Sequence, residues 1–409
     1  MLITPNETDK IQEIIDSCAK TGEEVVFKKG LYRTATLFLR DNSKIILEKG
    51  AMILGVDDFD AYSDDIDVFT DAVDGKRGKA LIYAENASNI SITGDGIING
   101  NGKVFSADRR PFLIRIVRCN NVHIEGIQVH DSGAWNIHLM DSDNIYIKDL
   151  FIKSKVNSNN DGIDIDSCRN CRIEDCIIDS GDDAICLKST LDKPCRDIYV
   201  NNCTLSTDWA GLKVGTESVG DFENVVIENT YIYNCKGCAI KIIPVDGGNL
   251  NNLTIRNVTL DKCTGPIFIS NGERLREYHG CKREIPSTIK NVVIDNVKGT
   301  CVDGPNDRFY KGEAWGNAKS CICISGTKNA PVENVTISNI DVEMAGGVSE
   351  YEKTPVPEMG TRYPEFHNFG VLPAWGIYGR NIKGLKKENV NLTLREEDVR
   401  EMEAYENVE

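Results

Sequence analysis

The sequence predicts an all-β chain, a single-stranded right-handed parallel β-helix of about ten rungs with an N-terminal capping helix, the architecture of a solenoid. Three observations predict it. An Asn or Asp followed by apolar, any, apolar residues recurs along the chain. A second Asn or Asp returns two residues beyond the last apolar position. The composition is rich in short Ile/Val clusters and carries 35 glycines, which suits many short strands and turns.

The first pattern reads Asn89-Ile-Ser-Ile92, Asn121-Val-His-Ile124, Asn144-Ile-Tyr-Ile147, Asn170-Cys-Arg-Ile173, Asp197-Ile-Tyr-Val200 and Asn224-Val-Val-Ile227. It continues as Asn252-Leu-Thr-Ile255, Asn291-Val-Val-Ile294, Asn334-Val-Thr-Ile337 and Asn389-Val-Asn-Leu392. From Asn121 to Asn252 the steps are 23, 26, 27, 27 and 28 residues, and later steps of 39, 43 and 55 imply inserted loops. The returning turn residues are Asp149, Asp175, Asn202, Asn229, Asn257, Asn296 and Asn339. Asn and Asp tolerate left-handed backbone angles, which a sharp bend between short strands requires. Leucine-rich repeats share this period but need a leucine pattern that is absent, and propeller blades need about 40–45 residues.

The ends follow the same logic. Residues 8–20 read as an amphipathic helix with Ile11, Ile14, Ile15 and Cys18 on one face, suited to cover the open edges of the first coil. Residues 396–409 are acidic and are expected to be helical or frayed. Residues 57–79 and 303–319 read as loops, and residues 1–409 as one domain.

The net charge of −16 opposes nucleic acid and anionic membranes as partners, but a local basic groove can still take an acidic sugar. No run of about 18 apolar residues marks a membrane span. The residues from Met1 to Asp9 lack the basic-then-apolar pattern of a secretory signal. The 15 cysteines are odd in number and several lie in apolar strands, as at Cys176, Cys186, Cys203, Cys321 and Cys323. They read as reduced, buried thiols, Cys235 and Cys238 included, and place the chain in the cytoplasm.

A second column of strands carries the chemistry: Trp135-Asn-Ile-His-Leu139, Asp161-Gly-Ile-Asp-Ile165, Asp183-Ala-Ile-Cys-Leu187, Ala210-Gly-Leu-Lys-Val214 and Cys238-Ala-Ile-Lys-Ile242. Alternation points Ile163, Ile165, Ile185 and Leu187 inward, and His138, Asp164, Cys186, Lys213 and Lys241 outward. Asp161, Asp182 and Asp183 begin adjacent rungs, so three carboxylates meet beside lysines. Crowded carboxylates keep a proton more readily than isolated ones, and a protonated carboxyl beside an ionised one is the pairing that hydrolyses a glycosidic bond. The lysines suit a uronate-containing oligo- or polysaccharide. Two rival readings remain open: turn formation alone, as for Asp164 and Asp166, and a metal site built from the same three aspartates.

Around that column, His138 faces the groove as a candidate substrate contact, and Arg274 and Arg276 lie past the next rung as candidate anion contacts. His130 and His279 read as loop residues. Trp135 and Trp209 either stack on sugar rings or pack.

At these residues the chain resembles glycoside hydrolase family 28, the polygalacturonases and their relatives. Asn159-Asn160-Asp161-Gly162-Ile163-Asp164 is similar to its Asn-x-Asp motif, and Ser180-Gly181-Asp182-Asp183 to its Gly-Asp-Asp motif. Gly237-Cys238-Ala239-Ile240-Lys241 is similar to its Arg-Ile-Lys motif. The runs Thr8 to Gly55 and Ser132 to His138 extend the likeness over most of the chain. The resemblance implies an inverting hydrolase with no metal or other cofactor, acting as a monomer on a galacturonan or rhamnogalacturonan chain. It makes Asp182 the general acid, gives the attacking water to Asp161 and Asp183, and gives Asn160 and Lys241 to the substrate, with Lys241 on its carboxylate. The chain departs from the family twice: Trp209-Ala-Gly-Leu-Lys-Val-Gly215 lacks the usual Gly-His-Gly histidine, and Ala239 replaces the usual arginine. Lys213 and Glu217 are expected to take over part of the binding. Exo-acting trimming of imported oligosaccharides fits this reading. The alternatives are a calcium-dependent polysaccharide lyase, with Lys213 or Lys241 as base, and a non-catalytic carbohydrate-binding β-helix.

Overall fold

The structure, a computed structural model, describes residues 1–72, 74–303, 309–310, 313–314 and 321–409. Backbone contacts group it into two units: Met1–Cys186 with Arg196–Cys203, and Leu187–Cys195 with Thr204–Glu409. Each unit is a run of right-handed parallel β-helix coils, the predicted fold class.

In the first unit, α1 (Ile11–Thr21) buries Ile11, Ile15, Cys18 and Ala19 and stops at Gly22, whose φ of 73° is open to glycine. Ile15 lines one small apolar cavity with Phe27, Leu37, Leu39 and Ile45 of the first coils, so the helix caps the core as expected. Above it, three stacks of short strands climb in register. One runs through Ser88–Gly94, Asn120–Glu125, Asp143–Lys148 and Arg169–Glu174. There Ile90, Val122, Ile145 and Cys171 stand directly above one another, all at most 2 % exposed. Each such buried aliphatic side chain contributes about 1.5–3 kcal/mol.

The turns behave as their residue types require. Asn89, Asn121, Asn144 and Asn170 and the returning Asp149, Asp175 and Asn202 all hold positive φ, between 51° and 59°. The asparagine amides also join coil to coil, as in Asn121 Nδ2 donating to Asn89 Oδ1 at 2.8 Å.

The second unit uses longer strands in the same way. Phe222–Tyr233, Asn249–Cys263, Thr288–Cys301, Val332–Gly346 and Ala374–Glu396 align Val225, Leu253, Val292, Val335 and Leu385 in one column. All fifteen cysteines are thiols and all but Cys281 are buried. No helix among the described residues is long and apolar enough to cross a membrane.

Two expectations are corrected. The acidic tail is neither helical nor frayed: Glu401–Val408 is a strand that pairs parallel to Ala374–Glu396. The last coil exposes backbone donors and acceptors, and pairing satisfies them while the acidic side chains stay outside, Glu403 meeting Lys387. The expected loop at 57–79 contains a small antiparallel ribbon, Phe69–Thr70 with Lys76–Arg77. The expected loop at 303–319 lies for the most part outside the described residues.

Candidate active site

Asp161 and Asp183 stand at the mouths of adjacent coils because those coils are hydrogen-bonded in register: Gly162 N–H donates to Asp183 O at 2.8 Å and Ile163 N–H to Ala184 O at 3.0 Å. Gly162 makes that approach possible, since a Cβ there would lie 2.3 Å from Ala184 O and 2.7 Å from Ile178 Cγ2. One carboxylate oxygen from each of Asp161, Asp182 and Asp183 lies within 4.8 Å of the other two. Asp161 and Asp183 are 3 % and 2 % exposed, whereas Asp182 is only half-buried. The outermost carboxyl is thus the one the resemblance names as acid, and the inner pair are the ones it gives to water. The same oxygen spacing is also within reach of one cation.

The surroundings fix Asp182 from several sides. Its Oδ1 accepts Asp183 N–H at 3.0 Å, its backbone oxygen accepts Ser180 Oγ at 2.6 Å, and Asn159 Nδ2 lies 3.5 Å from its Oδ2. Asn159 Oδ1 in turn accepts Arg110 Nη2 at 2.6 Å. Burial, then the nearby Arg77, lowers the Arg110 guanidinium to about 10, against the opposing pull of Asp71, Asp161 and Asp182. Sequence reasoning missed both residues. Asn159 stood inside a quoted motif, but Arg110 lies 49 residues from it and carried no signal.

Two predicted substrate contacts in this unit are buried and engaged by other residues of the chain. Asn160 is fully buried and its amide is taken: Oδ1 accepts Val156 and Asn157 N–H at 3.0 and 2.8 Å, and Nδ2 donates to Ser132 O and Ala134 O, both at 2.8 Å. It braces the turn that presents Asp161. His138 does face outward from its strand, but the Phe69 ribbon covers that face. The ring is fully buried, 5.5 Å from Phe69, 5.6 Å from Phe112 and 5.0 Å from Trp135 by centroid, with Arg115 Nε 3.3 Å from Nδ1. Trp135 is packing too.

The second unit gathers the predicted cations into a buried charge network. Lys213 and Lys241 are register partners on neighbouring coils, about 4.8 Å apart along the sheet, so their charges need compensation. Glu217 supplies part of it, 3.1 Å from Lys188 Nζ and within the fields of Lys213 and Arg274. Burial alone raises the Glu217 carboxyl, and Lys188, Lys213 and Arg274 overrule burial, so it sits at about 2 instead of 4.5. A depressed folded value stabilises the fold above the unfolded value and is lost as pH falls from about 4.5 through about 2. That loss amounts to about 3 kcal/mol. Urea unfolding followed against pH should show this slope in the parent protein and a flatter one in Glu217→Gln; equal slopes would exclude the assignment.

Arg274 and Arg276 were expected to contact an anion from the substrate. Arg274 instead clamps the buried Asp246 through Nε and Nη2, donates to Tyr278 Oη at 2.9 Å and lies over the Tyr363 ring. Arg276 gives its backbone N–H to Asp246 Oδ1 at 3.0 Å and holds its guanidinium over Tyr278. Lys241, expected to grip the substrate, is fully buried and bonded to Glu365 Oε2 at 2.7 Å. Trp209 is packed beneath it, with the Lys241 Nζ 4.4 Å from the ring centroid. Glu365, Asp246, Lys188 and Tyr363 were all missed: Tyr363 and Glu365 come from an insertion, Lys188 lies one residue past the end of the quoted rung Asp183–Leu187, and Asp246 lies four past the end of the quoted rung Cys238–Ile242.

Comparison with known proteins identifies the family. A family model described as glycosyl hydrolases family 28 matches residues 65–359. A probable polygalacturonase of Vitis vinifera is 26 % identical over 395 residues, spanning 88 % of this chain and 78 % of that protein. An exo-poly-alpha-D-galacturonosidase of Dickeya chrysanthemi is 23 % identical over 418 residues, spanning 82 % and 69 %. A Thermotoga maritima exopolygalacturonase structure superimposes with a TM-score of 0.68 at 22 % identity, over 84 % of this chain and 87 % of its own. A family 28 exopolygalacturonase of Yersinia enterocolitica gives a TM-score of 0.74 at 17 % identity, over 100 % and 77 %. At these identities the structural likenesses speak to the fold.

Proposed function

We propose, for a chain that belongs to glycosyl hydrolases family 28, that it cleaves a pectin-type galacturonan or rhamnogalacturonan by inversion, with Asp182 as general acid and a water held by Asp161 and Asp183. The observation that carries this reading is the triad itself: three carboxylates, each with one oxygen within 4.8 Å of the other two, one reaching outward and two buried. The outermost carboxyl stands where a glycosidic oxygen can take its proton, and the inner pair can accept a proton from water. The chain is a glycoside hydrolase by its family. The pectic substrate is supported by the names of its relatives, and exo action by the exo-enzymes among them.

In the second unit, Lys188, Lys213, Lys241 and Arg274 face Glu217, Asp246 and Glu365. Such a gathering of cations on neighbouring coils supports an acidic chain as the ligand. We further propose that residues 1–409 work as a monomeric single domain in a reducing, cytoplasmic setting. The buried thiols support that placement.

Family membership favours hydrolysis over the calcium lyase and the binding protein. The test is digestion of pectic oligosaccharides with and without a chelator. New reducing ends that persist in chelator, with no ultraviolet-absorbing product, are expected, and early product in the anomer opposite to the cleaved bond should appear by proton NMR. An absorbing product that disappears in chelator would replace the hydrolase with a lyase.

A further inference from the structure

Glu365 lies in an insertion, outside every repeated motif, and is 0 % exposed. Its carboxylate is received on both oxygens. Lys241 Nζ meets Oε2 at 2.7 Å, and Trp209 Nε1–H donates to Oε1 at 3.2 Å. The same ammonium sits 4.4 Å from the Trp209 ring centroid, so a charge and a second donor converge on one carboxylate while the indole face backs the ammonium. A sugar carboxylate would need the same charge and the same second donor. Here the chain fills the place with its own acid.

The filling is fastened. Phe366 and Phe369 lie 5.3 and 5.9 Å from the Phe268 ring by centroid, and the Arg380 guanidinium lies 5.5 Å from Phe369. Asn368 Nδ2 donates to Tyr363 O at 2.6 Å, closing the segment on itself. Phe366 and Phe369 are 1 % and 2 % exposed. Two buried aromatic anchors immediately after Glu365 hold the carboxylate on Lys241.

Electrostatics then decides what this position accepts. Paired, Lys241 and Glu365 present no net charge, and an incoming uronate would meet a carboxylate already on the ammonium. Like charges in a buried setting repel strongly, whereas an uncharged sugar loses nothing.

We propose that Glu365 is a specificity-determining residue: it occupies the carboxylate receptor formed by Lys241 and Trp209, so the enzyme disfavours a free uronate there and selects a pectin-type chain with a neutral or esterified unit at that position. This rests on the hydrolase reading above.

The test compares kcat/KM on matched oligogalacturonides bearing either free carboxylates or methyl esters, for three proteins. The parent should favour the esterified substrate. Glu365→Gln keeps the Lys241 charge without its partner, and should improve the free-carboxylate substrate by about tenfold through a lower KM, the size of one charge-assisted bond, with little change on the ester. The uncharged pair Lys241→Met with Glu365→Leu should keep the parental preference. That double variant also guards against misfolding, since it leaves no buried lone charge. A parent that favours free carboxylates, or a Glu365→Gln effect equal on both substrates, would overturn the proposal. Failure of the parent to cleave either substrate would instead bring down the hydrolase reading, and this inference with it.

Discussion

Asp182→Asn is expected to lower turnover by about a thousandfold while leaving the fold intact, the scale on which a lost general acid acts. The asparagine keeps the side chain's shape and still accepts the Asp183 N–H, but it has no proton to give a leaving oxygen. The effect should fall on kcat far more than on KM. Stability should change little, because the amide that replaces a protonated carboxyl is also uncharged. Thermal melting and steady-state kinetics on one preparation separate the two. Asp161→Asn and Asp183→Asn should each be severe as well, and a triple variant little worse than the worst single one, since the groups act as a unit. Undiminished turnover in Asp182→Asn would remove the triad from the chemistry.

The largest stability effect is expected at Asp246. Its carboxylate is 0 % exposed and takes Arg274 at two nitrogens, whose side chain is 6 % exposed. Asp246→Ala strands that guanidinium in the core and should cost about 3–5 kcal/mol, read as a lower urea midpoint at unchanged slope. Replacing both partners with leucine should recover much of it, because the penalty belongs to the stranded charge and less to the lost pair. A loss below about 1 kcal/mol in Asp246→Ala would mean that water reaches Arg274 and that the pair behaves as a surface one.

The sequence made the coil legible because the coil is local. An asparagine at each bend declares a left-handed residue, and Asn89, Asn121, Asn144 and Asn170 all adopt one. The triad was legible for the same reason, since register alone brings Asp161 to Asp183. Alternation correctly turned His138 and Lys241 outward. What alternation cannot report is what later lands on an outward face. Phe69 arrives on His138 from 69 residues away, and Glu365 reaches Lys241 across 124. Neither partner repeats, so no period betrays it. The tail failed differently: its acidity suggested a solvated segment, yet strand Glu401–Val408 forms because the final coil's backbone edge outweighs side-chain composition.

In the second unit, Val225, Leu253, Val292, Val335 and Leu385 keep one column although the chain between them grows from 28 residues to 50. A detour that leaves and rejoins at fixed bends costs little in closure entropy, since lengthening a flexible loop raises that cost only logarithmically. Detours are therefore free to vary while coils are not. The detour between Gly346 and Ala374 brings Tyr363 and Glu365 to the lysines. Ligand preference in such a molecule becomes a matter of which excursions are spliced between unchanging steps, and grafting the 347–373 excursion onto a like scaffold should carry its charge pattern along.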